Sequence, residues 1–360
     1  MHTGGKIMIF DSILDLFRGK TITIPALDGA FRANNRLEEA PIFAKLPGAD
    51  NLAVLDNRVI ASSGKTLYSL DGDAHATKIQ NYPAKITALA ISPKNELAIG
   101  LENGDLRISD RQAALPDAVK CITALSFSPD GSLWVANGSA HHSPSDWVAD
   151  LMEKNGSGSV WKCVPGEQSF HLIADKLAFP YGLLTSNKEV IVSESWRHRL
   201  VTIDSKTGVS KIRVNHIPGY PSRLSPAPDG GAWLSVFAPR NRLIELVLQE
   251  THYRFDMMDK VPRDFWIAPA LSSGHSFLEP AQCGGLKMMG IHKPWAPSRS
   301  YGMAVRLNAS MVPTDSFHSR ANGTRHGTCS VIENNNRLFV AAKGDDCILS
   351  INIADAGGRK

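Results

Sequence analysis

Three side chains with chemically useful heads stand near the entrances of apolar strands: the carboxylate of Asp50, the imidazole of His326 and the guanidinium of Arg223. A histidine whose ordinary pKa lies near neutrality can take a proton from water or from a substrate. A guanidinium can clamp a carboxylate or phosphate through paired hydrogen bonds. Tyr181 adds a phenol able to donate to a developing anion. Cys329 follows His326 closely and is a nucleophile only where its thiolate is stabilised. His141 and His142 open a polar stretch, but adjacent histidines project in different directions and chelate poorly. No ligand spacing joins them to His275, His292 or His318 as a metal site. Arg223 also has an alternative use, an ion pair with a blade residue such as Glu194, which itself reads as a tie between neighbouring elements.

These residues are positioned by a repeated hairpin. An apolar strand, a polar turn and a second apolar strand recur at Leu52/Arg58, Ala88/Glu96, Ala124/Leu133, Gly182/Val190, Arg223/Ala232 and Ser330/Leu338. Leu52, Ala88 and Ala124 start successive repeats 36 residues apart, the period of a four-stranded propeller blade. A hairpin that cannot bury both faces alone needs neighbours, so the pattern predicts an all-β, six-bladed β-propeller. Aligning the hairpins on their turns puts Asp50, Thr87, Thr123, Tyr181, Ser222 and either Thr328 or Cys329 at one step, pointing into the channel at one end. Calcium wants six to eight oxygens with carboxylates among them. One carboxylate among hydroxyls is a poor set, so the expectation is no bound metal and no cofactor, with at most a weak, water-rich ion site at Asp50.

The remaining organisation follows from periodicity and composition. Residues 8–18 carry apolar side chains at helical spacing, and residues 1–35 read as a helix and extended lead-in to a single propeller over 36–360. A strand within 20–50 is expected to complete the last blade. Insertions are expected at 137–159, with a helical run from Asp146 to Glu153, and at 240–300. The second holds a helix with Leu243, Ile244, Val247 and Leu248 on one face, broken by Pro262. Its continuation from Ser273 to Ser300 is a long Gly- and Pro-rich loop, a lid or a packing strap, in which Trp295 would cap a pocket. With 21% charged residues and a net charge of +4, no basic run interleaved with aromatics appears, which argues against nucleic acid. No apolar run spans a membrane, Ile7 to Phe10 is too short for a signal peptide, and the five scattered cysteines, without a CxxC, read as reduced thiols in a cytoplasmic protein.

The chain resembles the strictosidine-synthase-like branch of the gluconolactonase and paraoxonase superfamily. Phe179-Pro-Tyr-Gly182 is similar to that family's FPNG. Ile217-Pro-Gly-Tyr-Pro-Ser-Arg-Leu224 with Asp229-Gly-Gly-Ala-Trp233 is similar to its LPGYPDNI and following strand. Ser193 to Leu200 and His326 to Glu333 resemble two further strand entries. The resemblance implies a six-bladed scaffold over about residues 45–350 and a small-molecule pocket at the channel mouth. The family's ligand set and catalytic acid do not carry over. Tyr181 stands where lactonases have a metal-binding Asn, Ser222 where they have Asp and Thr123 where they have another Asn. Asp50 stands in for a liganding Glu. Thr328 or Cys329 stands where the alkaloid-forming members use Glu.

Three functions remain open at this level. The first is hydrolysis of a lactone or ester in the channel without calcium, with His326, Asp50 and Tyr181 as catalytic groups. Arg223, Ser222, Thr123, Thr87, Trp295, His141 and Cys329 would then contact a small, anionic substrate. The second is an amine–carbonyl condensing lyase, and the third a propeller that only binds a ligand or protein.

Overall fold

A computed structural model describes residues 22–70, 75–109, 111–276, 278–280, 287–288, 291–292 and 298–353. The expected ring is present: six four-stranded antiparallel sheets. Their inner strands are Ala49–Leu55, Ile86–Ile91, Ile122–Phe127, Pro180–Thr185, Gly219–Pro226 and Thr328–Asn334, which open blades 1 to 6 in chain order. Each inner strand packs against the next, and that of blade 6 returns to that of blade 1. The ring closes as expected. Blade 6 takes three strands from the end of the chain, and its fourth, Ile42–Lys45, pairs antiparallel with Cys347–Asn352. An exposed sheet edge is thereby paired and the two ends of the chain are tied together.

Burial falls from the axis outward. Ala49 to Leu52 on the inner strand of blade 1 are buried, whereas Ser210–Val214 on the outer edge of blade 4 is almost wholly exposed. The outer strands are correspondingly polar, with Lys78, Lys211 and Arg213 facing water. Large side chains fill the spaces between blades, including Trp134, Trp233 and Phe317. In the hairpin turn from Ser128 to Gly131, Gly131 has φ +84, a conformation that costs glycine no steric penalty. The Ser128 hydroxyl donates to Asp130 at 2.6 Å and accepts from the Trp134 indole at 3.2 Å, fixing turn and core together.

The connections after the second strands of blades 3 and 5 are long and carry helices, and these helices meet. The blade 3 insertion carries helix α1 (Trp147–Glu153). The blade 5 insertion carries α2 (Arg242–Gln249), capped by the Asn241 side chain, and α3 (Thr251–Lys260), which ends before Pro262. Ile244, Val247 and Leu248 of α2 pack with Leu151 and Met152 of α1, Met257 of α3 and Trp266 in one apolar cluster on Phe237 and Tyr220. An Arg263–Asp146 ion pair ties the insertions at their rim. Together they make a small helical cap beside the channel mouth. The expected helix at 8–18 lies outside the described residues, as does most of 277–297, Trp295 included. Cys121, Cys163, Cys329 and Cys347 are free thiols. Among the described residues no helix is long and apolar enough to cross a membrane.

Candidate functional site at the channel mouth

Every inner strand holds one extra residue near its start. The register shifts at Asp50–Asn51, Thr87, Thr123, Tyr181, Ser222–Arg223 and Cys329. Such β-bulges bend a strand and re-aim a side chain. Six of them at one level turn residues that would alternate between blade faces toward the axis. The aligned residues are therefore the second or later residues of the inner strands rather than residues preceding them. At Gly182, beside the Tyr181 bulge, a Cβ would lie 2.3 Å from the Ser222 carbonyl oxygen. Only glycine lets blades 4 and 5 approach so closely there.

The bulges open onto a cavity of about 220 Å³ lined by Asp50, Lys85, Thr87, Thr123, Tyr181, Arg223 and Lys343, with Pro144, Ser145, Trp147, Phe179, Phe237 and Leu271 above them. Its floor is an ion triad. Arg223 Nη1 donates to Asp50 Oδ1 at 2.7 Å, and Lys343 Nζ donates to Asp50 Oδ2. Arg223 Nη2 also donates to the Thr87 carbonyl at 2.7 Å, and its guanidinium lies 5.0 Å from the centre of the Tyr181 ring. Arg223 also borders the narrower channel beneath, so it separates cavity from pore.

Electrostatics fix these charges. Burial by itself would raise the Asp50 pKa, but Lys343 and Arg223 outweigh it and hold the carboxyl well below the usual range. Burial would likewise strip Lys343 of its proton; Asp50 reverses this and holds the ammonium above its ordinary value. Burial pushes the Tyr181 phenol up. Two cations therefore hold one carboxylate whose oxygens are both taken, and Lys85 lines the same cavity. Two polar atoms, Thr87 Oγ1 and Arg223 Nε, are buried there without a protein partner.

A divalent cation does not suit this donor set. The only carboxylate is already neutralised from both sides, and a metal would have to displace an ammonium or a guanidinium while facing Lys85. No cluster of three or more His, Cys, Asp or Glu side chains able to hold a metal occurs among the described residues.

The structure brings Asp50, Thr87, Thr123, Tyr181 and Arg223 to one cavity. Arg223 pairs with Asp50 and not with Glu194. Glu194 binds Arg197, Arg199 and the Ala178 amide, tying its own blade to the preceding loop. The other named residues lie elsewhere. His326 is buried and turned from the cavity: Nδ1 meets Ser300 Oγ and Nε2 meets the Arg320 carbonyl, both at 2.7 Å. Ser222 donates to the Ser235 carbonyl at 3.1 Å inside blade 5. Cys329 is buried, its thiol donating to the Gly327 carbonyl at 3.2 Å, and burial pushes its pKa up to about 12, so no thiolate is available. His141 is exposed on the insertion, away from the cavity lining.

Sequence reading missed Lys343, Lys85 and Trp147. Lys343 follows the second strand of blade 6 in a short 3-10 turn (Lys343–Asp345), a place the alignment of inner strands does not sample. Trp147 reads from sequence as a core tryptophan, whereas in the structure it lines the cavity. The position of Lys85, just before the inner strand of blade 2, was the one available signal.

No family model matches the chain, and no curated protein matches it. Solved structures do share its fold. A gluconolactonase from Xanthomonas campestris aligns with a TM-score of 0.55 at 12% identity, covering 86% of this chain and 87% of the other. A protein described as a candidate gluconolactonase aligns with a TM-score of 0.52 at 12% identity, covering 91% and 93%. At that identity the likeness is one of fold.

Proposed function

We propose that this propeller is a small-molecule enzyme of the lactonase and esterase class, acting at the channel mouth on an anionic substrate with protein cations in the place of a metal ion. The observation that carries this reading is the double neutralisation of Asp50 by Arg223 and Lys343, with Lys85 beside them. A site built this way has a net positive floor. Fixed donors and charges aimed at a developing oxyanion lower the barrier to attack on a carbonyl. Arg223 and Lys343 would polarise the carbonyl, Lys85 would hold the substrate's anionic group, Thr87 would supply a further hydroxyl, and Tyr181 would keep its proton and donate. Asp50 orients the two cations rather than acting as a base. The same field opposes an ammonium group, which weighs against amine–carbonyl condensation. The motifs at 179–182, 217–224 and 326–333 support a place in the strictosidine-synthase-like branch, and the free thiols support a reduced, cytoplasmic setting.

Binding without turnover is the second reading. It is favoured by the fixed protonation of Asp50, Tyr181 and Lys343, which leaves none of these three ready to exchange a proton near neutrality. One experiment separates the two. Purified protein is incubated with small lactones and aryl esters, with and without chelator, alongside the Lys85→Ala variant. Turnover that survives chelation and falls about tenfold in the variant supports the enzyme. Turnover only on adding a divalent ion overturns the metal-free site. Ligand binding without turnover favours the second reading.

A further inference from the structure

The cavity is two-faced, and its upper face is aromatic. Trp147 packs edge-on to Phe237 at 5.2 Å, Phe237 meets Tyr181 at 5.8 Å, and Tyr181 meets Phe179 edge-on at 5.6 Å. Phe179 in turn stacks on Trp196 at 4.4 Å, and the Trp196 indole donates to the buried Asp150 of α1 at 2.6 Å. These contacts hold the wall to both the blades and the cap, so the ligand meets a preformed apolar surface.

The polar face offers cations and, in the Thr87 hydroxyl, one side-chain acceptor without a protein partner. Asp50 is saturated, the Thr123 hydroxyl donates to the Pro180 carbonyl, and Ser145 accepts from Lys85 Nζ at 2.9 Å. A sugar acid brings a hydroxyl on nearly every carbon, and each one buried without a partner weakens binding. Against Trp147, Phe237 and Leu271 those hydroxyls have nothing to bond. A compact apolar body with one acidic group meets both faces.

From this we infer that the substrate class is a small aryl or alkyl acid derivative, its anionic head on Lys85, its carbonyl beside Arg223 and Lys343 and its apolar body on Trp147, Tyr181 and Phe237, and not a polyhydroxylated sugar acid. This rests on the anionic-substrate reading above and narrows it. Lys85 sets the head-group preference. It alone of the three cations makes no ion pair with Asp50 and is free to leave Ser145 for a ligand oxygen.

Calorimetric titration of the full chain with phenylacetate, phenylacetamide and gluconate tests it. Phenylacetate is expected to bind at least tenfold more tightly than either of the others. Lys85→Ala should weaken phenylacetate about tenfold and leave phenylacetamide unchanged. Gluconate binding as tightly as phenylacetate overturns the aromatic class while the anion site stands. Phenylacetamide matching phenylacetate overturns the anionic head, and the proposed function with it. Absence of binding by all three overturns both.

Discussion

Two buried polar clusters serve this propeller in opposite ways. One is the Asp50–Arg223–Lys343 triad at the channel mouth. The other joins blade 5 to its connection with blade 6. There His318 sits between the Tyr301 hydroxyl at 3.0 Å and Ser316 Oγ at 2.8 Å, and His326 sits between Ser300 and the Arg320 carbonyl. The second cluster is uncharged and closed: every ring nitrogen has its partner. The first is charged and open, with Thr87 Oγ1 and Arg223 Nε left over beside a cavity. A histidine that fills both its valences inside the protein has none for a substrate. A carboxylate that gathers two cations gives away its own charge and leaves theirs.

The sharpest break in that contrast is Asp50→Ala. Removing the carboxylate leaves two buried cations facing each other, and stability should fall by about 3–5 kcal/mol in urea denaturation. Asp50→Leu combined with Lys343→Met should recover part of that loss. A single-variant loss below about 1 kcal/mol would show that the triad does not anchor the floor.

The closed cluster should answer to pH instead. Burial lowers the His318 pKa from 6.5 to about 4. A folded-state pKa below the unfolded one means stability present above 6.5 and lost as pH falls toward 4, about 3 kcal/mol in all. His318→Gln should flatten that slope. Asp50, also depressed when folded, acts in a different window: its contribution is lost only below about pH 4. Denaturation curves at half-unit pH steps distinguish the two. A wild-type slope that survives in His318→Gln would assign the titration elsewhere.

Ligand binding should divide the clusters more gently. Arg223→Lys loses the Thr87 contact and the guanidinium's place over the Tyr181 ring, and should weaken an anionic ligand about tenfold. His326→Gln should change affinity less than about twofold. Equal losses in the two variants would put His326 back in the site. The smallest effect concerns the pH–rate profile: burial lowers the His326 pKa, and with its side chain off the cavity no inflection near 6.5 should appear in kcat/KM.

Much of this was readable in residue order. The count of six hairpins gave the number of blades, since each hairpin needs neighbours to bury its second face. The turn alignment found four cavity residues, Asp50, Thr87, Thr123 and Tyr181, because the same bulge recurs at the same step of every inner strand, and Arg223 was found separately by its chemistry. The alignment failed at Ser222 because its bulge advances Arg223, rather than Ser222, into the axis. It failed at His326 because being next to a strand entry says nothing about where a side chain in a connecting loop points.

The sequence alone, then, determined the six-bladed ring, the closure by a strand from the other end of the chain, and the level at which the channel would be lined. Those follow from local periodicity and burial. Tertiary structure alone decided what the site is. Arg223 lies 173 residues from Asp50 and Lys343 lies 293 residues from it. No local pattern links residues so far apart. Ring closure sets blades 1, 5 and 6 around one axis, and only there does an isolated acid become the charge-balanced centre of a cationic floor.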